Sequence, residues 1–553
     1  MSVGDRLGDL PLQAARAWHD REALCFGDMR ESFESFSAHV DSCARGLIGA
    51  GVDAGDRVLI FVPNSARWLY LFYAIVSVGA IAVPVNTRFR RDDLAYLLQQ
   101  SGASTLAFSD AIPGIDARAM VSELLGRDRH GQSISPAFPT LRRLISTADS
   151  GTAPAVGWSA LIELGESVPD ERLNARRAAV RADKPALILY TSGTTGAPKG
   201  AVHSHAMIRT IADGANRLGI TSRDALLLFL PLFHSMGLYL AGMMFLVTGA
   251  RLVLSSRFDP ANDLLQIERE RISVTFGFDT HFHDLLAHPD FASRDRSSLR
   301  IAMLPAGSPG VEPIARRVNR EFCRSFSGYG SSECGTGIAL SFLDASEDER
   351  CLGSGYPVPG YEFRICDPES GGVVPPGTIG ELRVRGYGVM QGYHANPEQT
   401  SAAFDADGFF RTGDSATIDA HGFLRYVGRY KDMLKVGGEN VDPAEVEAFL
   451  SRMPGLEQVR VVGLPDPRLG EAPAACVPDD GFVPDLESIR AFCSGRIASF
   501  KIPRHLVRVS AFPMTVTGKL QRAALRRIAI DQRQFADSVA AVGGCLDNAQ
   551  NQI

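Results

Sequence analysis

The sequence predicts an α/β protein that also contains an antiparallel β region and ends in a small α+β unit. Between residues 36 and 254, short apolar runs of strand length alternate with longer segments of helical apolar spacing. This alternation is typical of a parallel sheet covered by helices. From about Gly353 the apolar residues alternate at period two between turn residues, which indicates antiparallel or barrel-like strands. The 553 residues suffice for three or four structural units of about 150 residues each.

The α/β region can be followed element by element along the chain. The spacing predicts helices over residues 36–51, 64–78, 92–101, 206–218 and 238–247, and strands over residues 56–61, 80–85, 105–108, 186–189, 224–230 and 251–254. Residues 111 to 183 are less clearly patterned and are expected to include surface connections.

The remaining elements lie in the last 200 residues. Period-two strands are predicted over residues 362–366, 380–385 and 423–427. Beyond Lys431, the pattern predicts helices over 443–453 and 486–497, with a strand over 459–462 between them. From Asp531 the chain is polar and rich in small residues, which predicts a frayed tail.

Composition and charge limit the classes of function. Hydrophobic residues make up 45% and charged residues 22% of the chain, as in ordinary globular proteins. A net charge of -6 gives no electrostatic footprint for nucleic acid. The nine cysteines are scattered without a C-x-x-C pair, which predicts reduced thiols and a cytoplasmic location.

Two apolar stretches resemble membrane segments at first sight. They cover residues 68–85 and 225–254, but Gly79 and Pro84 interrupt the first, and Pro231 and Gly237 interrupt the second. Buried helix–turn–strand units are therefore predicted instead of spanning helices, with peripheral membrane contact left open. The first 13 residues lack the long apolar core of a secretory signal.

The most informative stretch is Tyr190–Gly200, which follows the predicted strand at 186–189. Its sequence, YTSGTTGAPKG, combines glycines, hydroxyl side chains and a lysine, Lys199. Glycines bring backbone N–H groups close to a ligand, and hydroxyls and a lysine add donors and positive charge, so the run is suited to a polyphosphate. It does not fit the Walker A pattern. A flexible polar loop is the alternative.

This run closely resembles the phosphate-binding signature of the adenylate-forming superfamily, which includes acyl-CoA synthetases, luciferases and peptide-synthetase adenylation domains. Further motifs follow in the family's order from roughly Asp56 to Arg527. The resemblance implies that the following residues bind ATP phosphates: Thr191, Ser192, Gly193, Thr194, Thr195 and Lys199. It also implies a large N-terminal domain (1–430) of two α/β subdomains plus a β-barrel-like subdomain, a small mobile α+β C-terminal domain (431–530) and a flexible tail (531–553).

Two further motifs concern the adenine and the metal. The segment 327–333 resembles the family's Y-G-x-T-E element. The resemblance implies that Tyr329 stacks on adenine, that Ser332 bonds a phosphate or the developing acyl-phosphate, and that Glu333 binds Mg²⁺. The segment 304–309 resembles the small-residue loop that accommodates adenine, through Ala306, Gly307 and Ser308.

The ribose and hinge motifs follow. Arg411–Asp414 resembles the family's T-G-D, which implies that Asp414 accepts the ribose hydroxyls. The segment 428–432 resembles the hinge element, in which Arg429 contacts ribose or phosphate and Lys431 is the pivot between the two domains. Taken singly, Asp414 and Arg429 are more typical of a surface salt bridge, and only their joint spacing favours the nucleotide site.

The C-terminal region carries the remaining motifs. The segment 515–519 resembles the catalytic lysine element, which implies that Lys519 is the cation that stabilises charge as a carboxylate attacks the α-phosphate. Gly437 and Gly438 resemble the paired glycines that line the pantetheine passage in CoA ligases, where a side chain would block the way. Residues 500–504 are a further candidate contact for the CoA nucleotide.

The acyl site is the least defined. The segment 231–237 resembles the family's acyl-site element, and His234 is expected to gate or contact the acyl carboxylate. The absence of an acidic residue between 225 and 254 argues against an amino-acid substrate. Where the family usually has V-P-T and aliphatic residues, this chain has Gly277–Asp284, with His281 and His283. We favour pocket or surface polarity over a metal site there, and the departure argues against a simple long-chain fatty acid.

Together these motifs predict an AMP-forming acyl-CoA synthetase with Mg²⁺ as cofactor. Its small-molecule partners would be a carboxylic acid, ATP and CoA, and the protein would be a monomer or homodimer. Three alternatives remain open: transfer of the acyl group to a carrier protein or amine, a nucleotide hydrolase of another fold, and a non-catalytic binding module. Medium-chain, aromatic and alicyclic acids all remain open as substrates.

Overall fold

The computed structural model describes residues 5–125, 137–151, 154–191, 198–307, 311–436, 439–466, 469–479, 483–494, 496–497, 499–515 and 520–533. Among the described residues up to 326, the strands are β1 (Glu22–Phe26), β2 (Met29–Ser32), β3 (Arg57–Phe61), β4 (Ile81–Pro84), β5 (Thr105–Phe108), β6 (Arg143–Ser146), β7 (Pro185–Thr191), β8 (Lys199–Ser204), β9 (Ala225–Leu228), β10 (Arg251–Leu254), β11 (Val274–Phe276), β12 (Ile301–Met303) and β13 (Ser325–Phe326).

The helices of the same region alternate with these strands: α1 (Leu10–Trp18), α2 (Phe33–Gly49), α3 (Ala66–Ser77), α4 (Arg91–Ser101), α5 (Ala117–Leu125), α6 (Trp158–Glu166), α7 (Asp170–Ala179), α8 (Ile208–Arg217), α9 (Ser235–Gly237), α10 (Met244–Thr248), α11 (Pro260–Arg269), α12 (Asp279–Ala287) and α13 (Glu312–Glu321).

The later elements are mostly strands: β14 (Gly328–Ser331), β15 (Gly335–Leu340), β16 (Tyr356–Pro357), β17 (Tyr361–Cys366), β18 (Gly380–Gly386), β19 (Gly392–Tyr393), β20 (Phe410–Ile418), β21 (Leu424–Arg429), β22 (Leu434–Val436), β23 (Glu439–Val441), β24 (Arg460–Asp466), β25 (Gly470–Pro478) and β26 (His505–Val509). The helices among them are α14 (Glu347–Leu352), α15 (Pro397–Ala403), α16 (Pro443–Leu450) and α17 (Leu486–Cys493).

Within the described residues, strands from the first 393 positions build two seven-stranded sheets. One has the order β13-β12-β11-β9-β10-β1-β2, and the other has the order β19-β8-β7-β4-β3-β5-β6. The inner strands of both sheets are parallel, as the α/β alternation predicts, while β2, β8 and β19 are antiparallel additions. The N-terminal strands β1 and β2 extend the sheet that contains β9 and β10, although about 200 residues separate them in sequence.

A large apolar core fills the space around α2 and α3, between the two sheets. In α3 every residue except Arg67 is buried. Its Tyr73 donates a hydrogen bond of 2.6 Å to the carbonyl of Gly242, which ties α3 to the segment after β9. The apolar stretch 68–85 is thus a buried helix followed by a strand, as predicted. In the described part of the chain, no helix combines the length and the apolar character that crossing a bilayer requires.

The antiparallel region is also confirmed. Strands β17, β18, β20 and β21 pair in that order as an antiparallel sheet. Within the described residues this sheet is an open four-stranded path and not a closed barrel. The C-terminal unit has a mixed sheet of β22 to β26 with α16 and α17 beside it, which confirms the predicted α+β character.

Two stretches differ from their sequence predictions. The described part of the weakly patterned stretch 111–183 contains α5, α6, α7 and the strand β6, so it is more regular than the surface connections that were expected. The helix predicted over 238–247 begins as a π-helix, Leu238–Met243, and becomes α-helical at Met244. Wide π-helical turns often occur near functional sites.

Candidate active site

The phosphate-binding signature lies on a β-hairpin. Strands β7 and β8 pair antiparallel, with Thr191 opposite Lys199. Of the predicted phosphate ligands, Ser192, Gly193, Thr194 and Thr195 lie outside the described residues, whereas Thr191 and Lys199 stand at the two ends of the strands. The Lys199 ammonium lies 5.2 Å from the ring centroid of Tyr393, a cation–π contact.

Glu333 reaches the end of this hairpin from a distant part of the sequence. Thr191 Oγ1 donates to Glu333 Oε1 at 3.3 Å, and the Tyr393 hydroxyl donates to the same oxygen at 3.4 Å. A carboxylate with hydroxyl oxygens beside it is a hard-oxygen donor set of the kind that Mg²⁺ prefers. These residues therefore fit the predicted Mg²⁺. This ion is usually held by only one or two protein carboxylates together with substrate phosphates.

Hydrogen bonds to backbone carbonyls hold the turn that carries Ser332 and Glu333. His203 Nε2 lies 2.6 Å from the carbonyl oxygen of Ser332, and Met390 donates its backbone N–H to the carbonyl of Glu333 at 2.7 Å. His203 is 1% exposed, and burial lowers its pKa to about 4, so the ring is neutral and donates from Nε2 to this carbonyl. The Ser332 hydroxyl makes no hydrogen bond within the described residues, which leaves it available to a ligand.

The predicted ribose and adenine residues form one connected set. The Tyr329 hydroxyl donates to Asp414 Oδ2 at 2.5 Å, and Arg429 Nε lies 3.0 Å from Asp414 Oδ1. Asp414 and Arg429 are cross-strand partners on β20 and β21, which explains why residues 15 positions apart meet. The Asp414 carboxylate raises the pKa of Arg429, and burial raises that of Tyr329.

The loop after β12 lies beside this set. Ala306 donates its N–H to Ser327 Oγ at 2.7 Å, which joins the loop to the residue before β14. Gly307 has a φ of +113°, and a Cβ there would lie 2.9 Å from Ser354 Oγ, so glycine is required for both conformation and space. Ser308 lies outside the described residues.

His234 belongs to a segment anchored by Asn64. Asn64 Nδ2 donates to the carbonyls of Leu230 at 3.0 Å and Ser255 at 3.1 Å, and its Oδ1 accepts the N–H of Leu232 at 2.8 Å. Asn64 follows β3 of one sheet, whereas its three partners follow β9 and β10 of the other. One buried amide therefore fixes the start of the segment that carries His234.

His281 and His283, in the segment that departs from the family pattern, have different surroundings. Both lie in α12, where residues two positions apart face different directions. The His283 side chain is 59% exposed, with Nδ1 3.4 Å from Asp284 Oδ1. His281 is half-buried, and burial lowers its pKa to about 4.

The predicted C-terminal residues Lys519, Gly437 and Gly438 lie outside the described residues. On either side of Lys519, Met514 and Leu520 form an isolated antiparallel bridge. Gln521 supports it, donating its backbone N–H to the carbonyl of Pro513 at 2.8 Å.

Three contributors were missed by the sequence analysis. Tyr393 reaches the hairpin only because β19 pairs with β8, and no local motif marks it. His203 is likewise visible only through its contact with Ser332. Asn64 had a readable signal, because it is a polar residue three positions after the end of a buried strand of a parallel sheet, where ligand sites occur.

Known proteins resemble this chain over almost its whole length. Residues 12–394 match the AMP-binding enzyme family and residues 445–519 match the AMP-binding enzyme C-terminal domain. The human medium-chain acyl-CoA ligase ACSF2, mitochondrial, is 34% identical over 527 residues, which cover 92% of this chain and 85% of that protein.

Solved structures agree with this match. The anthranilate CoA ligase AuaEII, in complex with anthranoyl-AMP, superposes with a TM-score of 0.83 at 26% identity, covering 96% of this chain and 98% of that one. ATP-bound MatB from Rhodopseudomonas palustris superposes with a TM-score of 0.81 at 26% identity, covering 95% and 99%. The chain therefore belongs to the AMP-binding enzyme family, the adenylate-forming family that its motifs resemble.

Proposed function

We propose that this protein is an AMP-forming acid–CoA ligase. One observation carries the proposal: a single short segment, Tyr329 to Glu333, joins two groups of side chains. At one end Tyr329 contacts Asp414 and Arg429, and at the other Glu333 contacts the phosphate hairpin. A nucleotide with its sugar at Asp414 and its phosphates at the hairpin would span this segment.

The proposed first half-reaction forms an acyl-adenylate. A carboxylate oxygen of the acid attacks the α-phosphorus of ATP, and the bond to the bridging oxygen breaks, so that pyrophosphate leaves. Two anions approach each other in this step, so positive groups must stabilise the charge that develops. We assign that task to Lys519, with Lys199 assisting at the β- and γ-phosphates. When bound, Mg²⁺ held by Glu333 would neutralise phosphate charge.

The proposed second half-reaction transfers the acyl group to CoA. The thiol sulfur attacks the acyl carbonyl carbon, the thiol proton is lost, and AMP leaves. We propose that a C-terminal domain, residues 431–530, turns about Lys431 between the two steps, so that Lys519 withdraws and Gly437 and Gly438 line the thiol passage. One site that needs different residues in successive steps is served by such a hinge.

The binding assignments made from sequence stand as part of this proposal. Tyr329 and the Ala306–Gly307 loop would hold adenine, with Ser308 beside them, and Asp414 would hold the ribose. Ser332 and His234 would contact the reacting phosphate and carboxylate. Thr191 to Thr195 would bind the β- and γ-phosphates.

The oligomeric state, monomer or homodimer, and the cytoplasmic location remain predictions. The ACSF2 relatives are named as mitochondrial proteins. Transfer to a carrier protein or an amine in place of CoA remains the second candidate for the acceptor.

Product analysis tests the proposal. The protein is incubated with ATP, Mg²⁺ and a panel of medium-chain, aromatic and alicyclic acids, with and without CoA. We expect AMP and pyrophosphate in amounts that depend on the acid, and acyl-CoA only when CoA is present. ADP as the product would support a hydrolase. If the acyl group is transferred to an amine or a carrier protein and no acyl-CoA forms, the acceptor is that amine or carrier and not CoA.

A further inference from the structure

The imidazole of His281 lies inside an enclosure of phenyl rings. Its centroid is 4.7 Å from that of Phe258, 5.3 Å from Phe229 and 5.9 Å from Phe278. Phe229 is buried, and the other two rings and His281 are half-buried. We call these four residues the aromatic enclosure.

The enclosure stands at the edge of the sheet where ligands are expected. Phe229 follows β9, Phe258 follows β10, and Phe278 and His281 follow β11. These strands are parallel, and they adjoin β12, whose carboxyl end leads into Ala306 and Gly307. In open α/β sheets, ligands bind at the carboxyl ends of the strands.

The hydrogen bonding of His281 defines its tautomer. Its Nδ1 accepts the backbone N–H of Phe278 at 3.1 Å, so the neutral ring carries its proton on Nε2. Within the described residues Nε2 has no hydrogen-bond partner. Nε2 is also not fully buried, so it borders accessible space. The enclosure thus presents an uncharged N–H donor among apolar rings.

We propose that His281 Nε2–H donates a hydrogen bond to a neutral oxygen on the acyl chain of the substrate. The preferred substrates are then carboxylic acids whose apolar chain or ring carries a carbonyl, hydroxyl or ether oxygen away from the carboxylate. This inference rests on the proposed ligase function. A second carboxylate would fit less well, because a charged group loses much more hydration than a neutral oxygen when it enters a half-buried enclosure of apolar rings.

His281 also has a structural role, which the test must separate from substrate recognition. As the third residue of α12, it accepts the N–H of the residue that precedes the helix. Glutamine at this position can provide both an acceptor for that N–H and a side-chain donor, whereas methionine provides no donor and only a weak acceptor. The exposed His283 on the same helix supplies a matched control.

The experiment compares pairs of acids of equal chain length, one alkyl and one with a methylene replaced by a carbonyl or ether oxygen, at successive positions. It measures kcat/KM for acyl-CoA formation by the wild type and by the variants His281→Met, His281→Gln and His283→Gln. At one position we expect the wild type to favour the oxygen-bearing acid by about tenfold, the size of one neutral hydrogen bond.

The variants should then differ in their preference for the oxygen-bearing acid. His281→Met should bring the ratio of the two kcat/KM values close to one while leaving the alkyl acid within about threefold of wild type. His281→Gln should keep part of the preference, and His283→Gln should keep all of it. A wild type that converts alkyl acids but prefers no oxygen position would overturn the inference and leave the ligase function standing. Equal losses on both acids in His281→Met would do the same. Failure of every acid to give acyl-CoA or pyrophosphate would remove the proposed function and this inference with it.

Discussion

The Tyr329 hydroxyl donates a 2.5 Å hydrogen bond to Oδ2 of Asp414, whose other oxygen lies 3.0 Å from the guanidinium of Arg429. Asp414 is 3% exposed, and a carboxylate this buried requires partners that compensate for lost hydration. These two contacts orient the buried carboxylate at the position that we propose for the ribose.

The first prediction concerns this contact. Tyr329→Phe removes one hydrogen bond to a charged group, and we expect kcat/KM for ATP to fall about tenfold. Asp414→Asn removes the charge that both partners compensate, and the fall should reach about 100-fold. Pyrophosphate release at varied ATP concentration measures both. An Asp414→Asn enzyme with wild-type dependence on ATP would place the nucleotide elsewhere.

Glu333 should govern the requirement for magnesium. Glu333→Gln removes the anionic ligand while keeping the shape, so we expect the Mg²⁺ concentration at half-maximal rate to rise about tenfold. The control is Glu34→Gln, because the Glu34 side chain is 69% exposed on α2. An unchanged Mg²⁺ titration in Glu333→Gln would show that the metal is held without this carboxylate.

Replacing Asn64 should weaken binding of the acid and leave binding of the nucleotide unchanged. Asn64→Ala leaves the N–H of Leu232 and the carbonyls of Leu230 and Ser255 without their buried partner, at a cost of about 2–4 kcal/mol in unfolding free energy. We expect a lower melting temperature and a higher KM for the acid, with KM for ATP little changed. Asn262→Ala, an exposed position on α11, is the control. If Asn64→Ala melts and binds acid like the wild type, the amide does not position the acyl segment.

Buried neutral histidines should make stability depend on pH. Burial lowers the pKa of His203 and of His205 from the ordinary 6.5 to about 4. Between pH 6.5 and pH 4, these two histidines are protonated in the unfolded chain but stay neutral in the folded chain. Their contribution to stability is therefore complete above pH 6.5 and is lost as the pH falls towards 4, by up to about 1.4 kcal/mol per pH unit for each group.

His205 offers the simpler test, because its Nδ1 accepts the N–H of Leu7 away from the candidate site. His205→Gln should reduce the stability lost between pH 7 and pH 5 by up to about 2 kcal/mol, measured by urea denaturation. His283→Gln, at an exposed position, is the control variant. The same pH dependence in His205→Gln as in the wild type would contradict a neutral buried ring.

Periodicity was sufficient to predict most of the fold. The helix predicted over 92–101 is α4, and the strand predicted over 105–108 is β5, because their apolar spacing matches one regular structure. The addition of β1 and β2 to the sheet of β9 and β10 was not predictable, since only contacts across about 200 residues determine it. Within the stretch 111–183, α7 was missed because Leu173 is its one buried residue, so the helix has little apolar periodicity.

The candidate site was predictable where motifs are local. Tyr329, Asp414 and Arg429 were assigned to one site from separate motifs, and the structure brings all three into contact. Tyr393 was not predicted, because it contacts Glu333 only through the pairing of β19 with β8. The packing of His281 against three phenyl rings could not be predicted either, because the rings come from loops after three different strands.

The most direct test of the central claim is exchange of labelled pyrophosphate into ATP, in the wild type and in Lys519→Ala. Reversible formation of an acyl-adenylate predicts exchange in the wild type that requires a carboxylic acid and Mg²⁺ but not CoA. Lys519→Ala should lose this exchange yet still convert supplied acyl-AMP and CoA to acyl-CoA. Exchange that proceeds without any acid, or equal loss of both half-reactions in Lys519→Ala, would contradict the account.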